Sequence, residues 1–277
     1  MKKILVTGCS GQLGRAIQRE YENDGAKLLC TDVAELDITD SAQVMEYMRL
    51  QRPDVILNCA AYTAVDDCER AWDLAYRINA IGPRNLAIAA RETGAKLVHI
   101  STDYVFDGEG TSPYTEFDAV NPVSAYGKTK LAGERFVAQF AERFFIIRTA
   151  WLYGEGKNFV RTMLRLAETH DAVSVVKDQL GTPTSAAEVA RLMHRLEPTE
   201  NYGLFHGTCE GSCSWADFAS EIFRLEGTST KVNYVTTEEY GSPTKRPAYS
   251  VLDNYMLRLT TDYRMADWEA ALREYLT

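Results

Sequence analysis

The sequence predicts an α/β fold, a doubly wound parallel sheet followed by a smaller C-terminal lobe. Three observations predict it. Over roughly the first 150 residues, short apolar runs alternate with stretches of helical periodicity. That is the order of parallel strands joined by right-handed crossovers. The first apolar run ends in a turn with three glycines, Gly8-Cys9-Ser10-Gly11-Gln12-Leu13-Gly14. Small residues and hydroxyls gather where later strands end, the edge at which open α/β sheets bind ligands.

At 277 residues the chain has room for one large domain and an added lobe. We expect a Rossmann-type domain over 1–150 and a mainly substrate-binding lobe over 151–277, with about 172–197 returning to the first domain. A formal net charge of −9 argues against a nucleic-acid partner, which needs a basic face. The opening run Ile4-Leu5-Val6 is too short for a signal peptide, and no run reaches the length of a membrane span. The six cysteines are scattered, which fits reduced thiols in a cytoplasmic protein. The histidines are dispersed too, and no metal site is expected.

Lys3-Ile4-Leu5-Val6-Thr7 is a buried parallel strand by composition. The helix after it, over 12–22, sets Leu13, Ile17 and Tyr21 on one face. A glycine turn between strand and helix suits a dinucleotide pyrophosphate: the backbone comes close, and the helix N-terminus supplies unpaired N–H groups. The alternative is a purely structural turn. The second strand, Lys27 to Cys30, is followed by Asp32, 18 positions after Gly14. An acidic residue there accepts from ribose hydroxyls and repels a 2′-phosphate, which leans mildly to NADH over NADPH. Asp37 is the other candidate for that contact. Asp40 or Thr39 caps the next helix.

Pro53 to Asn58 is a third strand, ending in Cys59-Ala60-Ala61-Tyr62-Thr63. A long helical region covers about 66–93. Within it Asn79, close to Gly82-Pro83, either bonds a neighbouring strand or water, or marks a helix break. Lys96 to Ile100 is a fourth strand, with Ser101-Thr102-Asp103-Tyr104-Val105-Phe106 at its carboxyl end. A helix over 124–142 precedes a fifth strand, Phe144 to Arg148. Later signals give helices over 158–169, 185–196 and 214–225, and a strand over 172–176.

The helix over 124–142 carries Tyr126 and Lys130. At i and i+4 they share a face. A neighbouring cation lowers a phenol's pKa, which would fit Tyr126 for proton transfer. The alternative is a solvated helix face.

With Gly8-x-x-Gly11-x-x-Gly14, Ser101-Thr102 and Tyr126-x-x-x-Lys130 in that order, the chain resembles the extended short-chain dehydrogenase/reductases. In detail it resembles the dTDP-4-dehydrorhamnose reductase family. The matching stretches include Leu36-Asp37-Ile38-Thr39, Asn58-Cys59-Ala60-Ala61-Tyr62-Thr63, Ser101 to Gly108, Tyr126 to Leu131, Arg148-Thr149-x-Trp151-x-Tyr153-Gly154, Asp178-Gln179-x-Gly181-x-Pro183-Thr184 and Arg246-Pro247.

The resemblance implies reduction of a dTDP-linked 4-ketosugar with NADPH or NADH. Tyr126 is then the general acid, Lys130 holds the cofactor ribose and tunes Tyr126, and Thr102 donates to the carbonyl oxygen. It implies cofactor contacts from Gly8, Gly11, Gln12, Leu13, Gly14, Asp32, Asp37, Ile38, Ala60, Ala61 and Tyr62. Asp103 and Trp151 are placed against the sugar, with Trp151 as plain core the alternative. Lys245-Arg246-Pro247 is the candidate for the diphosphate, Arg246 first, against a solvated basic turn; Asn158-Phe159 would add an amide and a stacking ring.

Two departures narrow the reading. Sugar-nucleotide 4,6-dehydratases carry Glu where Tyr104 stands, and fucose-type epimerase-reductases use a Cys that is missing here. Some relatives are dimers bridged by Mg²⁺ through a glutamate just after the third glycine. Arg15 stands there, and a guanidinium cannot ligate a cation. Glu188 is near a second such position. The expectation is a monomer or a homodimer without the metal bridge. Other readings are a nucleotide-sugar epimerase or another carbonyl reductase on this fold, or a non-catalytic regulatory subunit.

Overall fold

The computed structural model describes residues 1–241 and 246–277. Five strands follow the expected order: β1 (Lys3–Thr7), β2 (Lys27–Thr31), β3 (Val55–Asn58), β4 (Lys96–Thr102) and β5 (Phe144–Thr149). Between them run α1 (Gln12–Glu20), α2 (Ser41–Gln51), α3 (Val65–Cys68), α4 (Trp72–Tyr76), α5 (Gly82–Thr93) and α6 (Ala125–Phe140). The C-terminal half adds β6 (Leu152–Tyr153), α7 (Phe159–Ala167), β7 (Ala172–Val176), β8 (Leu180–Gly181), β9 (Thr184–Ser185), α8 (Ala186–Leu196) and β10 (Gly203–His206). Then come β11 (Cys213–Ser214), α9 (Trp215–Glu226), β12 (Lys231–Val235), α10 (Thr237–Tyr240), α11 (Tyr255–Thr260) and α12 (Trp268–Leu276).

The main sheet has the order β10-β5-β4-β3-β1-β2, all pairs parallel. Alternate side chains of each strand enter opposite cores. Ile4 and Val6 meet Leu13 and Ile17 of α1 and Val189 and Leu192 of α8. Leu5, Ile56 and Leu97 meet Val44 of α2, Leu86 of α5 and Val137 of α6. Helices thus cover both faces. The strand order reverses beside β1, where it lies between β3 and β2. Such a switch point opens a crevice at the carboxyl ends of the strands.

Several elements differ from expectation. The sixth strand, β10, carries only four residues and no long apolar run, yet it pairs with β5 from Gly203 opposite Phe145 to His206 opposite Arg148. The helical region over 66–93 is interrupted after α3, and residues 77–81 form a π-helical turn that leads into α5. Of the stretch 172–197, α8 does pack on α1. β7 instead pairs with β12 in a separate two-stranded sheet. There it packs with α7 and α9 around a second core containing Met163, Val173, Phe218, Ile222 and Leu272. A five-residue strand pairs wherever an unpaired edge and an apolar face are offered, and sequence spacing carries neither. Asp40, rather than Thr39, caps α2 by accepting from Ala42 N at 2.9 Å and Gln43 N at 3.1 Å.

Candidate active site

At the switch point lies a cavity of about 820 Å³, lined from the glycine turn to Trp215. Its floor is the turn between β1 and α1. Gly8 has φ +68°, and a Cβ there would sit 2.8 Å from Ala60 N. A Cβ on Gly14 would sit 2.5 Å from Gly8 O. Only glycine fits either place. Gly11 is the N-cap of α1 and offers no side-chain hydrogen bond to the helix. The first N–H groups of α1 stay available to an anion. The turn therefore fits a dinucleotide pyrophosphate. Gln12 ties it to the chain beyond β6 by accepting from Gly154 N at 2.7 Å.

Asp32, at the end of β2, lines the same cavity. Its carboxylate accepts from Ser10 N at 3.2 Å, from the Ser10 hydroxyl and from Cys9 Sγ at 3.3 Å. Burial opposes the charge, yet those hydrogen bonds hold the carboxyl below its usual range. Asp37 also lines the cavity, but its Oδ1 is engaged by Thr39 N at 2.9 Å and Thr39 Oγ1 at 2.8 Å. Of the two, Asp32 carries the charge the turn itself is folded around. Leu13, Ile38, Ala60 and Ala61 complete this end, whereas Tyr62 is not part of the lining. Asn79 explains why. From the π-helical turn its Oδ1 accepts from Tyr62 N at 2.8 Å, and its Nδ2 donates to Tyr62 O and Thr129 Oγ1, each at 3.1 Å. Asn79 thus fastens the loop after β3 to α6, with the Tyr62 ring packed near Cys68 and Ala125.

Thr102, Tyr126 and Lys130 all line the cavity. Thr102 ends β4 and donates to Asp103 Oδ1 at 2.9 Å. Ser124 caps α6 by accepting from Gly127 N at 3.1 Å, which puts Tyr126 in the first turn. Lys130 is buried and donates to Ile100 O at 2.5 Å. Behind it Glu134 binds Arg148 through two hydrogen bonds of 2.8 and 2.7 Å, a buried pair between α6 and β5.

The electrostatics correct one expectation. Burial, then the Asp103 carboxylate, push the Tyr126 phenol well above its ordinary pKa, and the Thr102 hydroxyl offsets them only in part. Lys130 does not pull it down. Its ammonium donates one N–H to the Ile100 carbonyl, and burial lowers its pKa to about 8 against the opposing pull of Glu134 and Cys59. The phenol is therefore held protonated, the state a proton donor needs. Burial likewise raises Asp103 to about 6 despite the Ser250 and Thr102 hydroxyls.

The far wall is aromatic. Trp151 has φ +47° and stacks on Trp215 with ring centroids 3.6 Å apart at 10°. Both indoles line the cavity, so Trp151 is not plain core. Trp215 escapes sequence reasoning, because nothing in the sequence states which way the first residue of α9 points. Thr149, opposite Thr102 across β4 and β5, is likewise a lining residue with no signal of its own.

Asn158 does not reach the cavity. It caps α7, accepting from Arg161 N at 3.0 Å, and its amide donates to Gly154 O, Gly156 O and Tyr275 OH. That leaves the side chain no free donor. Phe159 packs on Trp215 with centroids 4.5 Å apart. Arg246 is exposed, forms an ion pair with Asp66 at 3.6 Å, and is not among the lining residues. Lys245 lies outside the described residues.

The residues that a metal bridge would involve are held otherwise. Arg15 pairs with Glu155 at 2.6 Å. Glu188 pairs with Arg191 and accepts from Ala266 N at 2.9 Å. Among the described residues of this chain no group of three or more His, Cys, Asp and Glu could hold a metal ion, and no helix is long and apolar enough to cross a membrane.

The whole chain, residues 1–277, matches the family model described as the RmlD substrate binding domain. It is 43% identical to the spore coat polysaccharide biosynthesis protein SpsK of Bacillus subtilis, covering 100% of this chain and 97% of that one. It is 39% identical to the dTDP-4-dehydrorhamnose reductase of Aggregatibacter actinomycetemcomitans, covering 99% and 98%. The crystal structure of a dTDP-4-dehydrorhamnose reductase from Clostridium acetobutylicum superposes with a TM-score of 0.97 at 56% identity, covering 99% and 98%. That of the Bacillus anthracis reductase in complex with NADP gives 0.97 at 44% identity, covering 100% and 99%.

Proposed function

The chain belongs to the RmlD substrate-binding-domain family, and we propose that it reduces dTDP-4-dehydro-L-rhamnose to dTDP-L-rhamnose. One observation carries the reading: a single cavity joins a glycine turn fitted to a pyrophosphate, a Thr102–Tyr126–Lys130 set and an aromatic wall. The relatives named as this reductase support the substrate.

A reduced nicotinamide supplies hydride when bound. The chain's own residues do the rest. Gly8, Gly11 and Gly14 give the pyrophosphate a close backbone, and Lys130 holds ribose hydroxyls. The Thr102 hydroxyl turns from Asp103 to the C4 oxygen and donates to it as negative charge develops there. Tyr126 gives that oxygen its proton, and its raised pKa keeps the proton on the phenol until the alkoxide forms. The Trp151 face meets the apolar side of the deoxysugar. Arg246 is the candidate for the diphosphate, with Asp66 its partner until an anion competes. Tyr104 in place of a glutamate leaves no second acid–base group for dehydration.

For cofactor choice, the ionised Asp32 supports NADH, while the Bacillus anthracis relative is solved with NADP. The reading is that both serve, with NADH mildly favoured. The test is oxidation of each cofactor by the protein with dTDP-4-dehydro-L-rhamnose, followed by nicotinamide absorbance. No oxidation of either would sink the proposal.

A further inference from the structure

The stretch Asp178-Gln179-Leu180-Gly181-Thr182-Pro183-Thr184 has no part in the chemistry above, yet it lies directly behind Trp151, a residue of the cavity wall. β8 pairs antiparallel with β11, Gly181 opposite Cys213 and Leu180 opposite Ser214. Trp215 follows directly as the first residue of α9, behind a capping box made by Ser214 and Asp217. One short ribbon thus carries both Gly181 and Trp215. Each meets Trp151. The Trp215 indole stacks on it at 3.6 Å. A Cβ on Gly181 would lie 2.4 Å from Trp151 Cε2 and 2.6 Å from its Nε1, so the glycine backbone abuts the indole directly. Thr184 N adds a hydrogen bond to Trp151 O at 3.3 Å. Trp151 itself sits at φ +47°, a strained region for a bulky side chain that persists only where the surroundings over-determine it.

We propose that Gly181 and Trp215 clamp the Trp151 indole in the cavity wall and so set the affinity for the nucleotide-linked deoxysugar. This rests on the functional reading above. Gly181 leaves room for the ring, Trp215 covers it, and the β8–β11 pairing fixes their spacing. Phe159 backs Trp215 with centroids 4.5 Å apart. Gly181 is a positioning residue, because it acts through Trp151; Trp215 covers Trp151 and lines the cavity as well. The clamp is built from the C-terminal lobe, whereas the pyrophosphate turn belongs to the main sheet, so sugar and cofactor affinities respond separately.

The test uses Trp215→Leu, Trp215→Phe and Gly181→Ala in the full chain. Two stacked indoles give an exciton couplet in far-ultraviolet circular dichroism. Wild type should show it and Trp215→Leu should lose it. An aromatic contact of this kind converts to a roughly fivefold change in affinity. Trp215→Leu should therefore raise KM for the ketosugar about fivefold with the cofactor KM little changed. Trp215→Phe should recover most of that loss, as a structural role in folding alone would not. Gly181→Ala should raise the sugar KM with both indoles still present and perturb the couplet. An unchanged sugar KM in Trp215→Leu and Gly181→Ala, or a rise shared equally by sugar and cofactor, overturns the clamp. If wild type turns over no ketosugar, the functional reading fails, and a wild type without the couplet overturns the clamp separately.

Discussion

A methyl group on Gly127 would lie 2.1 Å from the carbonyl oxygen of Tyr104. The first turn of α6 therefore rests directly on the short 3₁₀ turn over Asp103–Val105. This contact brings Tyr126 to Thr102. It also seats the Tyr126 ring edge-on to Tyr104, with centroids 5.5 Å apart.

Gly127→Ala must push that turn away, because the clash is with backbone. We expect a destabilisation of about 1–3 kcal/mol. Turnover should fall on the order of 10²-fold, the usual cost of about an ångström of misplacement. Thermal unfolding and kcat measure the two, and a variant with full turnover would show that the Gly127–Tyr104 contact does not set the site.

Lys130 predicts a pH limb. Burial lowers its pKa to about 8, against Glu134 and Cys59. Its charge is present below that value and lost above it, so kcat/KM should fall as pH rises through about 8. Glu134→Gln removes an opposing charge and should move the limb to lower pH. It also breaks the pair with Arg148, so stability is recorded alongside. A limb that stays put in this variant contradicts the coupling.

Asp103 makes the opposite stability prediction. Its folded pKa, raised to about 6 by burial, exceeds the ordinary carboxyl value. The unfolded state then binds fewer protons between those values, and stability falls as pH rises through that window. The cost is absent below about pH 4 and full above about pH 6. Asp103→Asn should raise Tm at pH 7 by the equivalent of about 1–3 kcal/mol and leave it unchanged near pH 4. Turnover should drop, because Thr102 loses its carboxylate partner. Equal Tm values at pH 7 would show that the carboxyl is not penalised.

Asp32→Ala removes the carboxylate that Ser10 and Cys9 hold in place. The ratio of kcat/KM for NADH over NADPH should decline by several-fold. An unchanged ratio would transfer the discrimination to Asp37 or another group.

Much of this was legible because chemistry and periodicity coincide. The β1–turn–α1 unit follows from an apolar run, three glycines and Leu13-x-x-x-Ile17. The pairing of Tyr126 with Lys130 follows from helix spacing. What stayed hidden depends on contacts between distant segments. β10 joins the sheet because β5 offers an edge, which no local pattern announces. Asn158 has the right chemistry for a ligand contact, but Gly154 and Tyr275 claim its amide first. Burial sets the direction of the Tyr126 shift, and helix spacing gives shared faces but says nothing of burial. The same holds for the end of β3: Tyr62 matches the motif, yet Asn79 turns its backbone toward α6.

Tyr126 is proposed to protonate the C4 oxygen of a dTDP-linked ketosugar as it is reduced. This role is tested most directly by single-turnover oxidation of NADH and NADPH with dTDP-4-dehydro-L-rhamnose, comparing wild type with Tyr126→Phe. Wild type should oxidise the cofactor, and the variant should bind cofactor normally and lose on the order of 10²–10⁴ in rate. A Tyr126→Phe protein that reduces the sugar at near wild-type rate would contradict it.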